Sequence, residues 1–219
     1  VFRNPPDVAT GEYGDGQLDD EFAWAAAELF IATGEARYAQ ALLARDPVGG
    51  AALATPSWGK VAALGWISLA HHRERLAPGL DRALVERRID GLAAQLAATW
   101  RAGGYRVPLA APDFVWGSNA VILNGSMVLL QAYRIHPQPD YLQAAQSGLD
   151  YVLGRNALGM SFVTGYGAKS PMHPHHRPSV ADGVEAPVPG WLVGGPQSAQ
   201  QDAKDCPAPY PSKLPAKSY

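Results

Sequence analysis

The sequence predicts an all-α protein built from helical hairpins, and three observations carry that prediction. Six apolar-periodic runs between Asp19 and Leu153 are separated by Gly or Pro breaks. No run alternates convincingly at period two, so strands are at most minor. A weak internal repeat spaces Phe30, Tyr38 and Ala41 as it spaces Tyr133, Tyr141 and Ala144. Each triplet brackets a helix, a short turn and the next helix, which points to a solenoid or a closed α/α toroid whose hairpins bury their faces against neighbours.

The elements follow in order. Asp19 and Asp20 offer an N-cap to a first helix, in which Phe22, Ala26, Leu29 and Phe30 form the apolar stripe and Thr33-Gly34 the stop. A second, shorter helix spans Ala36 to Ala44 and ends at Asp46-Pro47. Ser57 caps a third through Val61, Leu64, Ile67 and Leu69. Asp81 caps a fourth through Leu92, Leu96 and Trp100, which Gly103-Gly104 ends. After an irregular stretch, Asn119 to Ile135 makes a fifth helix and Asp140 to Leu153 a sixth. The organisation is therefore helical over residues 1–156 and loop-like over 157–219. More than half of the prolines fall in that second part, and so long a segment without elements usually means functional loops.

Composition narrows the function. The chain has 219 residues, 47% apolar and 17% charged, enough to bury a sizeable core. A formal net charge of -2 lacks the basic footprint of a nucleic-acid binder, and the longest apolar stretches are too short to span a bilayer. The single cysteine, Cys206, excludes an intrachain disulfide framework and a cysteine-based zinc site. The opening Val-Phe-Arg-Asn-Pro-Pro has neither an initiator methionine nor the shape of a signal peptide, so it reads as cut from a longer chain.

Three segments carry candidate chemistry. In Ser161 to Arg177, three of the six histidines, His173, His175 and His176, fall within four positions and an arginine follows. Gly165, Gly167, Pro171, Pro174 and Pro178 keep the segment out of regular structure, as a loop presenting side chains requires. Histidine with arginine suits a polyhydroxylated or anionic ligand. His173 and His175 with Asp182 and Glu185 are also a zinc reading, without helical spacing to support it. In Gly14 to Glu21, the acids before the first helix either collect oxygens for calcium or complement the helix dipole. Finally, Trp58, Trp100, Tyr105, Trp116, Tyr166 and Trp191 lie near helix ends or in loops, where an aromatic stacks on a sugar ring or fills core.

The stretch Ser161 to Arg177 resembles the histidine-containing signature of family 9 glycoside hydrolases, the endoglucanases and related cellulases. Phe114 to Asn119, Leu149 to Asn156, Val193 to Pro196 and Tyr210 to Tyr219 are similar to that family in the family's order. So are Gly11 to Asp15 and Asp20 to Leu29, so the resemblance covers essentially the whole chain. It implies an (α/α)6 barrel, about half of it present here, and inverting hydrolysis of β-1,4-glucosidic bonds. It makes His175 and Arg177 the active-site pair, Tyr105 and Trp116 the sugar platforms, and His173 and His176 supports of the substrate-facing loop. It implies a secreted enzyme with no organic cofactor. Its partners are a β-glucan or cello-oligosaccharide and the remaining part of the same barrel, with no nucleic acid or membrane.

Two departures matter. Inversion needs two carboxylates across the bond. The resemblance puts the base in an Asp-Ala-Gly-Asp motif upstream of Val1 and the acid in an Asn-Glu motif beyond Tyr219, so both are expected outside these residues and the chain alone is expected to be inactive. A non-catalytic glycan-binding module of the same fold is the alternative. The second departure concerns a structural calcium at Asp20 and Glu21. The resemblance implies a further acidic ligand just after the tryptophan matching Trp58, where this chain has Gly59-Lys60.

Overall fold

The computed structural model describes residues 4–7, 16–46, 52–198 and 200. Its helices are α1 (Asp19–Thr33), α2 (Ala36–Arg45), α3 (Ala62–His71), α4 (Arg82–Ala102), α5 (Ser118–Ile135), α6 (Pro139–Val152) and α7 (Arg177–Ala181), with short 3-10 turns at Arg73–Arg75 and Ala111–Asp113. Among the described residues the only β pairing is two isolated bridges, Ser57 to Lys60 and Val163 to Leu192. The all-α expectation holds, and the six main helices stand within a few residues of where periodicity put them. Two compact units divide the chain, Val1–Ile89 and Asp90–Tyr219.

In the first unit α1 packs on α2 and α3. The buried stripe of α1 is Ala23, Ala26, Ala27 and Phe30, whereas Phe22 and Leu29 are exposed, which corrects the expected stripe. Small residues won because α3 comes close: a Cβ on Gly65 would lie 3.0 Å from the Ala27 Cβ. Gly34 ends α1 in the left-handed region, φ 71°, and returns its N–H to the Phe30 carbonyl. Two expected caps differ. Asp19 and Asp20 sit inside the first turn of α1, where they favour the positive end of the dipole, and Leu18 holds the cap position. Ser57 closes a turn with Lys60, and Val61 holds the cap position of α3. Asp81 does cap α4, its Oδ1 accepting the Ala83 N–H at 2.9 Å. Asp46 ties the unit together by pairing with Arg88 and accepting the Trp66 indole N–H.

In the second unit α5 and α6 form a hairpin. Gly148 makes it close: a Cβ there would overlap the Ser126 hydroxyl and sit 3.1 Å from Ile122 Cγ2. α6 opens on Pro139, whose missing N–H costs nothing in a first turn. Behind the hairpin, Val107, Leu109, Ile122, Tyr151, Val152 and Phe162 form one core cluster. Phe162 fastens the loop region to it, fully buried and with its N–H donated to the Val152 carbonyl at 2.7 Å. Asn156 reinforces the join by donating Nδ2 to the Tyr151 and Met160 carbonyls, each at 2.8 Å.

Burial pushes the Tyr151 phenol up to about 12 from its ordinary 10.0, with the Tyr105 phenol adding a smaller push. The folded state thus holds this proton more tightly than the unfolded chain. The associated stability is complete below pH 10 and is lost as pH rises towards 12. At ~1.4 kcal/mol per unit the loss approaches 2–3 kcal/mol. Urea unfolding from pH 9 to pH 12 should show that fall, and Tyr151→Phe should flatten it; an equal fall in the variant would reject Tyr151 as its source.

Candidate active site

A cavity of about 400 Å3 opens in the second unit, with Trp116 on one side, Pro171 to His175 on another and Val193 to Gly195 beside them. Trp116 stands half exposed just before α5, offering a flat apolar face. His173 and His175 are exposed on the Pro-rich loop, so their ring nitrogens are available to a ligand.

The Val193 to Pro196 wall lies against Trp116, where a Cβ on Gly194 would be 3.9 Å from Trp116 Cε2, and it is held by the first turn of α5. Ser118 Oγ donates to the Pro196 carbonyl at 2.7 Å, the Asn119 N–H to the Gly194 carbonyl at 3.1 Å, and Asn119 Nδ2 to the Val193 carbonyl at 3.0 Å. Ser118 and Asn119 are completely buried. Gly195, at φ +91°, lies so close that a Cβ would overlap the Asn119 carboxamide. Only glycine meets both demands. Val193 continues the tie by donating to the Phe162 carbonyl at 3.0 Å, which connects the wall to the core.

Thr164 organises the loop behind the histidines. Its N–H donates to the Trp191 carbonyl, and its Oγ1 donates to the Val188 carbonyl at 2.6 Å while accepting the Trp191 N–H at 2.9 Å. Gly165, at φ +72°, allows the turn to press on Pro189.

The sequence candidates divide. Trp116, His173 and His175 come together at the cavity. His176 instead caps α7, its Nδ1 accepting the Ser179 N–H, and lies edge-on to Trp191 with ring centroids 4.1 Å apart. That placement keeps it off the cavity wall. Tyr105 does not line the cavity either; its carbonyl accepts from Arg155 at 2.6 Å and its phenol neighbours Tyr151. Arg177 opens α7, and its side chain lies outside the description, as do Gly11 to Asp15 and Tyr210 to Tyr219. Sequence reasoning missed Ser118 and Asn119 as wall-builders, although both sit in the Phe114 to Asn119 motif it singled out.

No group of three or more His, Cys, Asp or Glu side chains is placed to hold a metal among the described residues. The zinc reading of His173 and His175 therefore lacks a third ligand there. At the other candidate site, Asp20 Oδ2 accepts the Val61 N–H at 2.7 Å, and the calcium expectation at Asp20 and Glu21 finds no assembled acidic set among the described residues.

The wall contact is testable. Gly195→Ala should cost about 1–3 kcal/mol through overpacking and the left-handed backbone. Adding Asn119→Ala, which removes the group overlapped, should recover part of that loss in a double-mutant cycle of thermal unfolding. Strict additivity would show that the two residues are not in limiting contact.

The Glycosyl hydrolase family 9 model matches residues 2–219. The xyloglucan-specific endo-beta-1,4-glucanase of Bacteroides ovatus is 41% identical over 225 aligned residues, covering 98% of this chain and 36% of that protein. The crystal structure of a single-mutant thermostable endoglucanase from Alicyclobacillus acidocaldarius matches with a TM-score of 0.82 and 34% identity, over 100% of this chain and 41% of the other. A second structure, in complex with cellobiose-like isofagomine, matches at 0.83 with 35% identity over the same shares. The chain spans about two fifths of the length of these proteins. Their fold is the (α/α)6 barrel, in agreement with the helical hairpins seen here.

Proposed function

Because the chain belongs to glycosyl hydrolase family 9, we propose that it forms the sugar-holding part of a secreted enzyme that hydrolyses β-1,4-glucosidic bonds with inversion. The observation that carries this reading is the single cavity shared by Trp116, His173 and His175. Its volume, about 400 Å3, lies within the roughly 300–1,000 Å3 usual for small-ligand sites.

The division of labour follows from the chemistry. The indole face of Trp116 supports the C–H face of a glucosyl ring. His175 hydrogen-bonds a ring hydroxyl and fixes the sugar's rotation, with Arg177 as its partner in the pair. The bare backbone at Gly194-Gly195 lets the ring approach without steric cost. Proton transfer belongs to two carboxylates outside these 219 residues: one activates water on the far side of the ring and one protonates the leaving oxygen, with about 6.5–9.5 Å between them in an inverting site. The remaining part of the barrel supplies them and covers the outward apolar side chains Met127 and Leu130 of α5 and Leu149 and Leu153 beside them. An insoluble glucan is met only outside the cell, which is why secretion belongs to the proposal.

A non-catalytic glycan-binding role is the second reading, since the residues that line the Trp116–His175 cavity include no carboxylate. Two assays separate them. Residues 1–219 alone should not hydrolyse carboxymethylcellulose, because acid and base transfers are each worth roughly 10²–10⁴-fold. In a chain extended to include both carboxylates, hydrolysis should appear, and His175→Ala should lower it about tenfold or more, the worth of one well-placed hydrogen bond. His72→Ala, at the end of α3, should leave it unchanged. Equal losses in the two variants would remove His175 from the site, and binding without hydrolysis in the extended chain would favour the second reading.

A further inference from the structure

His176 is half-buried, and its imidazole is engaged by two different segments. The ring lies edge-on to Trp191, with centroids 4.1 Å apart and planes at 66°. Its Nδ1 faces the Ser179 N–H at 3.4 Å and the Ser179 Oγ at 3.1 Å. We propose that this imidazole is a positioning residue for the reaction. By tying Ser179 to Trp191 it sets the direction of Arg177, which lies between His176 and Ser179 in the chain. The inference rests on the pairing of Arg177 with His175 proposed above, and it adds the group that aims the arginine.

Three features support it. The first is need. Arg177 opens α7, a helix of only five residues, and Pro178 follows it directly. A residue before proline is pushed away from helical backbone, and one helical turn does not stabilise itself. Arg177 is helical all the same, so contacts from outside α7 must hold it there. The second feature is chemistry. A backbone N–H can only donate, so Nδ1 accepts from Ser179 and the neutral ring carries its hydrogen on Nε2. The tie therefore depends on an acceptor at one atom, which distinguishes it from the filling of space by a ring.

The third feature is the rigidity of the anchor. The Trp191 carbonyl accepts the Thr164 N–H at 3.0 Å, and the Trp191 N–H donates to Thr164 Oγ1 at 2.9 Å. Thr164 is completely buried, and Val163 pairs with Leu192 alongside it. Phe162, two residues before Thr164, belongs to the core cluster of the unit. A continuous path of contacts thus runs from the core through Thr164, Trp191 and His176 to the turn that presents Arg177. Broken at His176, it leaves Arg177 held by the backbone between Pro174 and Pro178.

The test uses the chain extended to include both carboxylates and reads kcat/KM on a cello-oligosaccharide. His176→Phe keeps a ring against Trp191 and removes the acceptor, whereas His176→Asn restores an acceptor from among the preferred capping residues. Thermal unfolding accompanies each variant, and His176→Leu takes the place of Phe should that ring not fit. His176→Phe should lower kcat/KM about three- to thirtyfold, and His176→Asn should stay within about twofold of the parent. With Arg177→Ala already present, His176→Phe should cost nothing further, because it acts through that arginine. Equal losses for Phe and Asn, or the same loss with and without the arginine, overturn the proposal. A costly Arg177→Ala beside a silent His176→Phe also overturns it, while leaving the pairing of Arg177 with His175 intact. A silent Arg177→Ala overturns both.

Discussion

The hydrogen bonds between the first turn of α5 and residues Val193 to Pro196 are the constraint on which the rest of the site depends. They join segments 74 to 78 residues apart in sequence, and two of the three donors are side chains of fully buried residues. The Gly-Gly-Pro wall has no polar side chain with which to hold itself, and glycine loses more backbone freedom on ordering than any other residue. Ser118 and Asn119 offset that cost by satisfying its carbonyls. The same turn follows directly from Trp116, so one helix start fixes both the aromatic face and the backbone wall beside it. Among the described residues, Asn119 Oδ1 is left buried without a hydrogen-bond partner. Such a group is tolerated where the surrounding contacts over-determine its position.

The histidine loop is held by different means towards the same end. Its Pro and Gly content prevents a helix or strand, so each stretch must be tied individually to something rigid. Phe162 ties it to the core beneath α6, Thr164 to the Val188–Trp191 return, and His176 to the short α7. The consequence is a separation of roles within the histidine cluster. His176 spends its Nδ1 on structure, whereas His173 and His175 remain exposed at the cavity. The α5–α6 hairpin supplies the stiffness behind this arrangement through the close approach at Gly148.

Much of the fold was legible in the sequence because helix stops and caps are local. Thr33-Gly34, Asp81 and Gly103-Gly104 act within a turn of where they stand. The α1 stripe was misread for a physical reason. Periodicity weights Phe22 and Leu29 by their size, while the close α1–α3 contact selects Ala23 and Ala27, which periodicity hardly notices. Ser57 misled similarly: a residue type that favours caps also favours turns, and here the turn with Lys60 won. At the site, the density of His173, His175 and His176 was visible, but that His173 shares the cavity with His175 while His176 turns to α7 was not, since that depends on α7 and Trp191. Tyr105 illustrates the same limit, because no local pattern reports that its neighbours are Tyr151 and Arg155 and not the cavity. Asn119 was hidden by its position, where a polar residue in the first turn of a helix reads as a cap.

The central claim is that Trp116 and His175 together hold a glucosyl unit of a β-1,4-glucan. The most direct test is a crystal structure of the chain soaked with cellobiose. The account predicts a sugar ring lying against the Trp116 indole with a hydroxyl within hydrogen-bond distance, about 2.7–3.2 Å, of a His175 ring nitrogen. Cellobiose seated instead on another exposed aromatic such as Trp58 or Tyr105, with nothing between Trp116 and His175, would contradict it.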